Sequence, residues 1–156
     1  MELKATRFGT ISYEKSDVIW MVRGFLGFEN LKRFVIFSIK DQEPFKWYQS
    51  LEDLDIAFLM IDPLFFKPDY AVEINPKDIQ ILGARSPEDI RLFVLVTIPE
   101  GKSELMSANL QGPLAINIEN NQGAQLVLND SSYDIAHLIY REIAKKLSES
   151  SVRSKG

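Results

Sequence analysis

The feature that most constrains this fold is an uninterrupted apolar run in the middle of the chain, residues 56–61. A run of this length is typical of a strand that is buried on both faces. Before it, apolar and polar side chains alternate over residues 45–50, and the polar turn 52–55 separates the two stretches. This pattern predicts a β-hairpin across residues 44–63, at the centre of a sheet.

Short apolar runs of the same kind recur along the rest of the chain. Residues 18–22, 33–39 and 91–98 are rich in β-branched or aromatic side chains and are bounded by turn residues. None of them alternates with a long helical pattern, which argues against a doubly wound sheet. The sequence therefore predicts a mainly β fold, a small antiparallel β-barrel-like domain with short helices.

The apolar spacing changes from the strand period to the helical period near the end of the chain. From Tyr133 onward, aliphatic residues recur at helical spacing and predict a C-terminal amphipathic helix that ends at about Leu147. Residues 148–156 are polar. Because 156 residues suit one domain, we expect a single β domain over residues 1–147, followed by a flexible polar tail over residues 148–156.

Composition restricts the function and the location. The absence of cysteine excludes disulfides, thiolate metal sites and cysteine nucleophiles. The one histidine, His137, lies in the predicted helix, where a structural role is favoured over a catalytic one. The net charge of −4 disfavours sequence-independent binding to nucleic acid. No apolar run approaches the roughly 20 residues that cross a membrane, and the first residues lack a signal-peptide core. We expect a cytoplasmic protein without catalytic residues, metal or cofactor.

Several aromatic side chains are predicted to lie outside the core. Tyr48 alternates with the core-facing position of its strand, and Phe65 and Phe66 lie between two prolines that disfavour helix and central strand. Phe25 and Phe28 lie in a loop with two glycines. Because aromatic residues are enriched at interfaces, these five are the candidate contacts with a protein partner. The alternative is that each closes an end of the barrel.

Acidic side chains form a second group of candidate contact residues. Glu52, Asp53 and Asp55 lie in the turn of the central hairpin, where their charge would attract a basic partner. The alternative is an ordinary solvated turn. Neighbouring acidic residues in a loop are more typical of a turn than of an acid/base pair, so no catalytic role is predicted for them.

Several blocks of the sequence resemble the flagellar assembly factor FliW family, in the same order and with similar spacing. They are TRFG, GFLGFENLKRFV, PFKWYQSLEDLDIAFLMIDP, FKPDYAVEI, LVTIPEG, MSANLQGPLAIN and GAQLVL. The likeness extends from about Thr6 to Tyr133. The segment after Tyr133 departs from the family pattern.

This resemblance implies a small, mostly β, cytoplasmic protein of flagellated bacteria that has no catalytic activity. It implies binding to flagellin, towards its helical end, and to the translational repressor CsrA. Flagellin would occupy the factor until it is exported, and the freed factor would then bind the repressor and relieve repression of flagellin mRNA. An apolar groove would suit a flagellin helix, and an acidic surface would suit a basic repressor.

An enzymatic alternative is a flavin-binding split barrel. Such folds are small, and a strand carrying Trp47 and Tyr48 beside a glycine loop is compatible with one. The visible absorbance of the purified protein distinguishes the two, since a bound yellow cofactor would oppose the adaptor function.

Overall fold

Eleven short strands and two α-helices make up the part of the chain that the structure, a computed structural model, describes: residues 1–129 and 132–155, with side chains up to Glu149. In chain order the strands are β1 (Glu2–Ala5), β2 (Gly9–Ser12), β3 (Ile19–Arg23), β4 (Arg33–Phe37), β5 (Lys46–Ser50), β6 (Ala57–Ile61), β7 (Ile90–Thr97), β8 (Ser107–Ala108), β9 (Leu114–Asn117), β10 (Gln122–Gln125) and β11 (His137–Leu138). The helices are α1 (Pro76–Ile81) and α2 (Tyr140–Lys155).

Seven of the strands close into a barrel. Around the barrel the order is β3, β4, β5, β6, β7, β9 and β10, and β10 then pairs with β3. Every neighbouring pair is antiparallel except β10 with β3, which is parallel. An odd number of strands cannot alternate in direction all the way round, so one parallel pair is unavoidable. The predicted mainly β, barrel-like fold is confirmed, with this one parallel pair added.

Aromatic stacking fills the interior of the barrel. Tyr48 on β5 stacks on Phe34 of β4 with ring centroids 4.3 Å apart and planes 3° apart. The Tyr48 hydroxyl donates a hydrogen bond to Met21 Sδ at 3.2 Å, and burial raises the pKa of this hydroxyl. Phe25, from the glycine loop, packs edge-on against both rings and is buried. Phe25 therefore closes one end of the barrel.

The prediction that Tyr48 lies outside the core is wrong, because its side chain is 0% exposed. Alternation along β5 then places Trp47 on the outer face of the barrel, although the sequence pattern predicts Trp47 at the core-facing position. That face is covered too, because Phe8 in the turn between β1 and β2 packs on Trp47 with centroids 4.9 Å apart. Alternation on this strand therefore separates two buried layers.

A second apolar cluster lies on the outer face of β6 and β7. Its members include Ile61, Phe66, Val94, Ile139 and Ile143. The prediction that Phe66 lies outside the core is wrong. A 3-10 turn at Pro63–Phe65, capped by the Asp62 side chain, directs the buried Phe66 inward.

The C-terminal helix begins later and ends later than predicted. His137 and Leu138 form β11, an edge strand paired with β8, so α2 begins only at Tyr140. The helix then continues through Lys155, beyond the predicted end at Leu147 and into the predicted tail. Gly156 lies outside the described residues. The start of the predicted helix thus includes Leu138, which pairs with β8 as part of an edge strand and precedes the helix.

The interior position of Tyr48 predicts a large loss of stability on truncation. We expect Tyr48→Ala to lower the free energy of unfolding by about 3–5 kcal/mol, because it leaves a cavity and removes the stack on Phe34. Urea unfolding followed by circular dichroism measures this. The matched control is Tyr140→Ala at a residue that is 43% exposed, with an expected change within about 0.5 kcal/mol. Similar losses for the two variants would contradict this assignment.

Candidate protein-docking groove

The barrel wall is incomplete between β6 and β7. These strands pair only where Met60 lies opposite Leu95 and Ile61 lies opposite Val94. On one side of this point, the first residues of β6 pair only with β5. At the same end of the ladder, the last residues of β7 pair with β8, which lies on the edge of β7 opposite β6. The two strands therefore diverge and leave a split in the wall.

An open groove of about 820 Å³ occupies this split, within the range of roughly 300–1,000 Å³ that is usual for ligand clefts. We call it the docking groove. Its walls are mainly apolar and include Trp47, Ala57, Leu59, Val96, Ile98 and Leu147.

Trp47 forms a fixed wall of the docking groove. Its Nε1 donates a hydrogen bond to Gln42 Oε1 at 2.7 Å. The Arg7 guanidinium lies over the ring, 5.1 Å from its centroid, and Phe8 packs on the same ring. The N-terminal hairpin and the segment before β5 thus hold this side of the groove in place.

Helix α2 supplies part of another wall. Ile143, one turn into the helix, is buried against the outer cluster and anchors the helix to the barrel. Leu147 lies four residues later, on the same face of the helix. It lines the docking groove and is 46% exposed. An aliphatic side chain is therefore half open to solvent inside an apolar cleft.

Two carboxylates without partners lie beside the docking groove. Asp41 and Glu43 line it, and both are exposed. Among the residues that the structure describes, neither side chain makes an ion pair or a hydrogen bond. Arg7 is the cation of the groove, and it is already placed over Trp47. The groove therefore suits a ligand that is apolar along its length and carries a positive charge.

The sequence that forms this barrel matches a known family. The family model described as FliW protein matches residues 2–139. The chain belongs to the FliW family. The matched residues include the whole barrel and end just before α2, so the Leu147 wall of the groove lies outside them.

Relatives in the FliW family are similar over most of their length. A "Flagellar assembly factor FliW" from Caldanaerobacter subterraneus subsp. tengcongensis is 44% identical over 144 residues, which cover 92% of this chain and 95% of the relative. One from Treponema denticola is 41% identical over 143 residues, covering 92% of this chain and 96% of the relative. The crystal structure of the flagellar assembly factor FliW superposes with a TM-score of 0.82 at 25% identity, covering 90% of this chain and 97% of that chain.

The aromatic candidates for partner contact in this FliW-family chain divide by exposure. Tyr48, Phe25 and Phe66 are buried, and none of them presents its ring at the surface. Phe28 is exposed and packs edge-on against Phe58 of β6. Phe65 is half-buried against the outer cluster. Contact of Phe28 and Phe65 with a partner stays a prediction.

The acidic candidates are exposed, yet each also has a role within the chain. Glu52 accepts hydrogen bonds from the backbone N–H of Lys32 at 2.5 Å and of Arg33 at 2.9 Å. Asp53 accepts one from the Asp55 N–H at 3.0 Å, and Asp55 accepts one from the Thr6 hydroxyl. These bonds hold the hairpin turn, and contact with a partner stays a prediction for all three.

Sequence reasoning missed most of the docking groove. The sequence predicts Trp47 at a core-facing position, and it predicts Leu59, Val96 and Ile98 in apolar strands without a binding role. The signal that was available is the two-sided apolar character of residues 56–61. When a strand is apolar on both faces and a neighbouring strand separates from it, apolar side chains are exposed along the gap. The sequence did not show at which residue β7 separates from β6.

The described part of the chain lacks a cluster of metal ligands and an apolar helix of membrane-spanning length. Within residues 1–129 and 132–155, no group of three or more histidine or acidic residues is placed to hold a metal ion. His137 Nε2 lies 3.2 Å from Glu142 Oε1. None of the helices described is long and apolar enough to cross a membrane.

The hydrogen bonds of Glu52 predict a structural role that can be measured. We expect Glu52→Ala to lower the free energy of unfolding by about 1–3 kcal/mol, because two backbone N–H groups lose their acceptor. Asp41→Ala is the matched control, since that exposed carboxylate has no partner, and its expected change is within about 0.5 kcal/mol. Urea unfolding measures both. An unchanged stability of Glu52→Ala would show that water replaces the carboxylate without cost.

Proposed function

We propose that this chain is a non-enzymatic, cytoplasmic flagellar assembly factor that binds flagellin and antagonises the translational repressor CsrA. Membership of the FliW family and the names of its relatives support a role in flagellar assembly. The observation that carries the proposal of protein binding is the docking groove, an apolar cleft with unpaired carboxylates at its edge. Apolar clefts with a polar edge are typical of sites that bind peptide segments.

The mechanism is partner switching. Flagellin that accumulates in the cell occupies the factor, and flagellin that is exported releases it. The released factor binds CsrA and relieves repression of flagellin mRNA. If the two partners exclude one another, a flagellin concentration of about 100 times its Kd lowers the free factor about a hundredfold, which corresponds to about 2.7 kcal/mol. Export of flagellin is thus converted into a large change in available factor.

Charge supports the choice of partners. The chain has a net charge of −4, and exposed carboxylates lie in the hairpin turn and beside the docking groove. An RNA-binding repressor is expected to be basic, because it must neutralise phosphates. Opposite charge speeds the encounter of two proteins and disfavours wrong partners.

Direct binding of both partners tests the proposed function. We expect purified host flagellin and purified CsrA each to form a complex with the full chain, measured by isothermal titration calorimetry, and excess flagellin to displace CsrA. Bovine serum albumin is the negative control for binding. If the chain binds neither protein, the proposed function is refuted. If both bind at once, partner switching by exclusion is refuted and a simple adaptor remains.

A charge placed in the docking groove tests its role in binding flagellin. Ile98 lines the groove and is 42% exposed, so we expect Ile98→Glu to fold normally and to weaken flagellin binding at least tenfold. Ile118→Glu is the matched control, because Ile118 is 57% exposed and lies outside the groove. Surface plasmon resonance measures both variants. Equal affinities would place the flagellin site elsewhere on the chain.

A further inference from the structure

The hydrogen bonds of the β5–β6 hairpin determine which way each backbone group of β6 points. The Ser50 N–H donates to the Ile56 carbonyl at 3.0 Å, and Tyr48 lies opposite Phe58 two residues along the same ladder. In an antiparallel pair, successive residues point their N–H and C=O to alternate sides. The N–H and C=O of Ala57 therefore point away from β5 and into the docking groove.

Within residues 1–129 and 132–155, no strand lies opposite Ala57 on the groove side. The pairing of β6 with β7 ends at Met60 and Leu95. Continued in register, it would bring Ile98 opposite Ala57, but β7 has already ended at Thr97. Ala57 and Ile98 instead line the docking groove together. Among the described residues, Ala57 has a strand partner on the β5 side alone.

An open strand edge inside an apolar cleft favours a ligand whose backbone can pair with that edge. An extended segment can pair its own N–H and C=O groups with those of Ala57, as in β-strand addition to a sheet. A helix satisfies its backbone internally, so it would cover the edge and leave the Ala57 groups without partners. The geometry thus favours an extended segment over the helix that the family resemblance implies.

The side chains of the docking groove define the chemistry of that segment. In a strand, side chains point alternately to the two faces. One set would meet Trp47, Leu59 and Leu147 and must be apolar. The unpaired Asp41 and Glu43 at the edge call for a lysine or arginine in the segment, because the groove's own Arg7 is placed over Trp47.

We infer that the docking groove binds an extended segment of flagellin, with alternate apolar side chains and a basic residue, which adds to β6 at Ala57. This inference rests on the proposed function, since that function supplies flagellin as the partner. It goes further by specifying the conformation of the segment, the strand edge that receives it and the charge that it carries.

Ala57→Pro tests the strand addition. Proline removes the Ala57 N–H, and it preserves the β5–β6 ladder because that N–H does not bond to β5. We expect the Kd for purified flagellin to rise at least tenfold, by titration calorimetry with the full chain. Ala57→Ser keeps the N–H and the small side chain, and we expect its Kd to stay within about twofold of the wild type. Unchanged binding by a folded Ala57→Pro variant would overturn the inference.

A measurement on the wild-type chain covers the case in which Ala57→Pro does not fold. In the complex with flagellin, we expect the Ala57 amide to exchange at least tenfold more slowly and to show nuclear Overhauser contacts to backbone protons of flagellin. If flagellin binds and the Ala57 amide is unaffected, strand addition is wrong and the proposed function stands. If the wild-type chain does not bind flagellin at all, both are wrong.

The carboxylates test the charge of the segment. We expect the double variant Asp41→Asn, Glu43→Gln to bind flagellin several-fold more weakly at low salt and to lose most of the salt dependence of binding. Glu88→Gln is the control and should bind as the wild type, because Glu88 is exposed and is not one of the residues that line the docking groove. An unchanged salt dependence of the double variant would refute the basic residue in the segment.

Discussion

Burial of the β5–β6 hairpin on both faces is the constraint on which the rest of this structure depends. Tyr48 stacks on Phe34 inside the barrel, and Trp47, the next residue along, is covered outside by Phe8. A single strand thus joins an inner aromatic layer to an outer one. The inner layer requires a closed barrel, and the outer layer requires the N-terminal hairpin and helix α2. The N-terminal hairpin and helix α2 thus pack against the outer faces of barrel strands.

Closure of the barrel explains why the docking groove lies where it does. Strand β7 contacts β9 through its first half, β6 through the pair at Val94 and Leu95, and β8 through its last residues. β6 lies along one edge of β7, and β9 followed by β8 lies along the other. The wall opens where the pairing of β7 with β6 ends, at Leu95 and Met60, while β7 continues beside β8. A cleft made by strand divergence has backbone edges as well as side chains in its walls, and this separates it from a pocket between packed helices.

The sequence predicted the class of fold because local patterns determine it. Short β-branched runs bounded by turns indicated the barrel. Exposure was harder to predict, because alternation along β5 cannot show that both faces are covered. The predictions for Tyr48 and Phe66 are wrong because packing against distant parts of the chain buries both side chains, which neither alternation nor flanking prolines can indicate. The groove depends on where β7 leaves β6, and no local pattern marks that point.

An open strand edge is a hazard for any soluble protein, because a second copy can pair with it. Here the exposed edge is short, since β6 contributes only the residues before Met60 to it. Asp41 and Glu43 add negative charge beside it, and a second copy of this acidic chain is repelled by them. A basic segment is attracted by the same two carboxylates. The features that protect the edge against self-association therefore also select the partner that the docking groove admits.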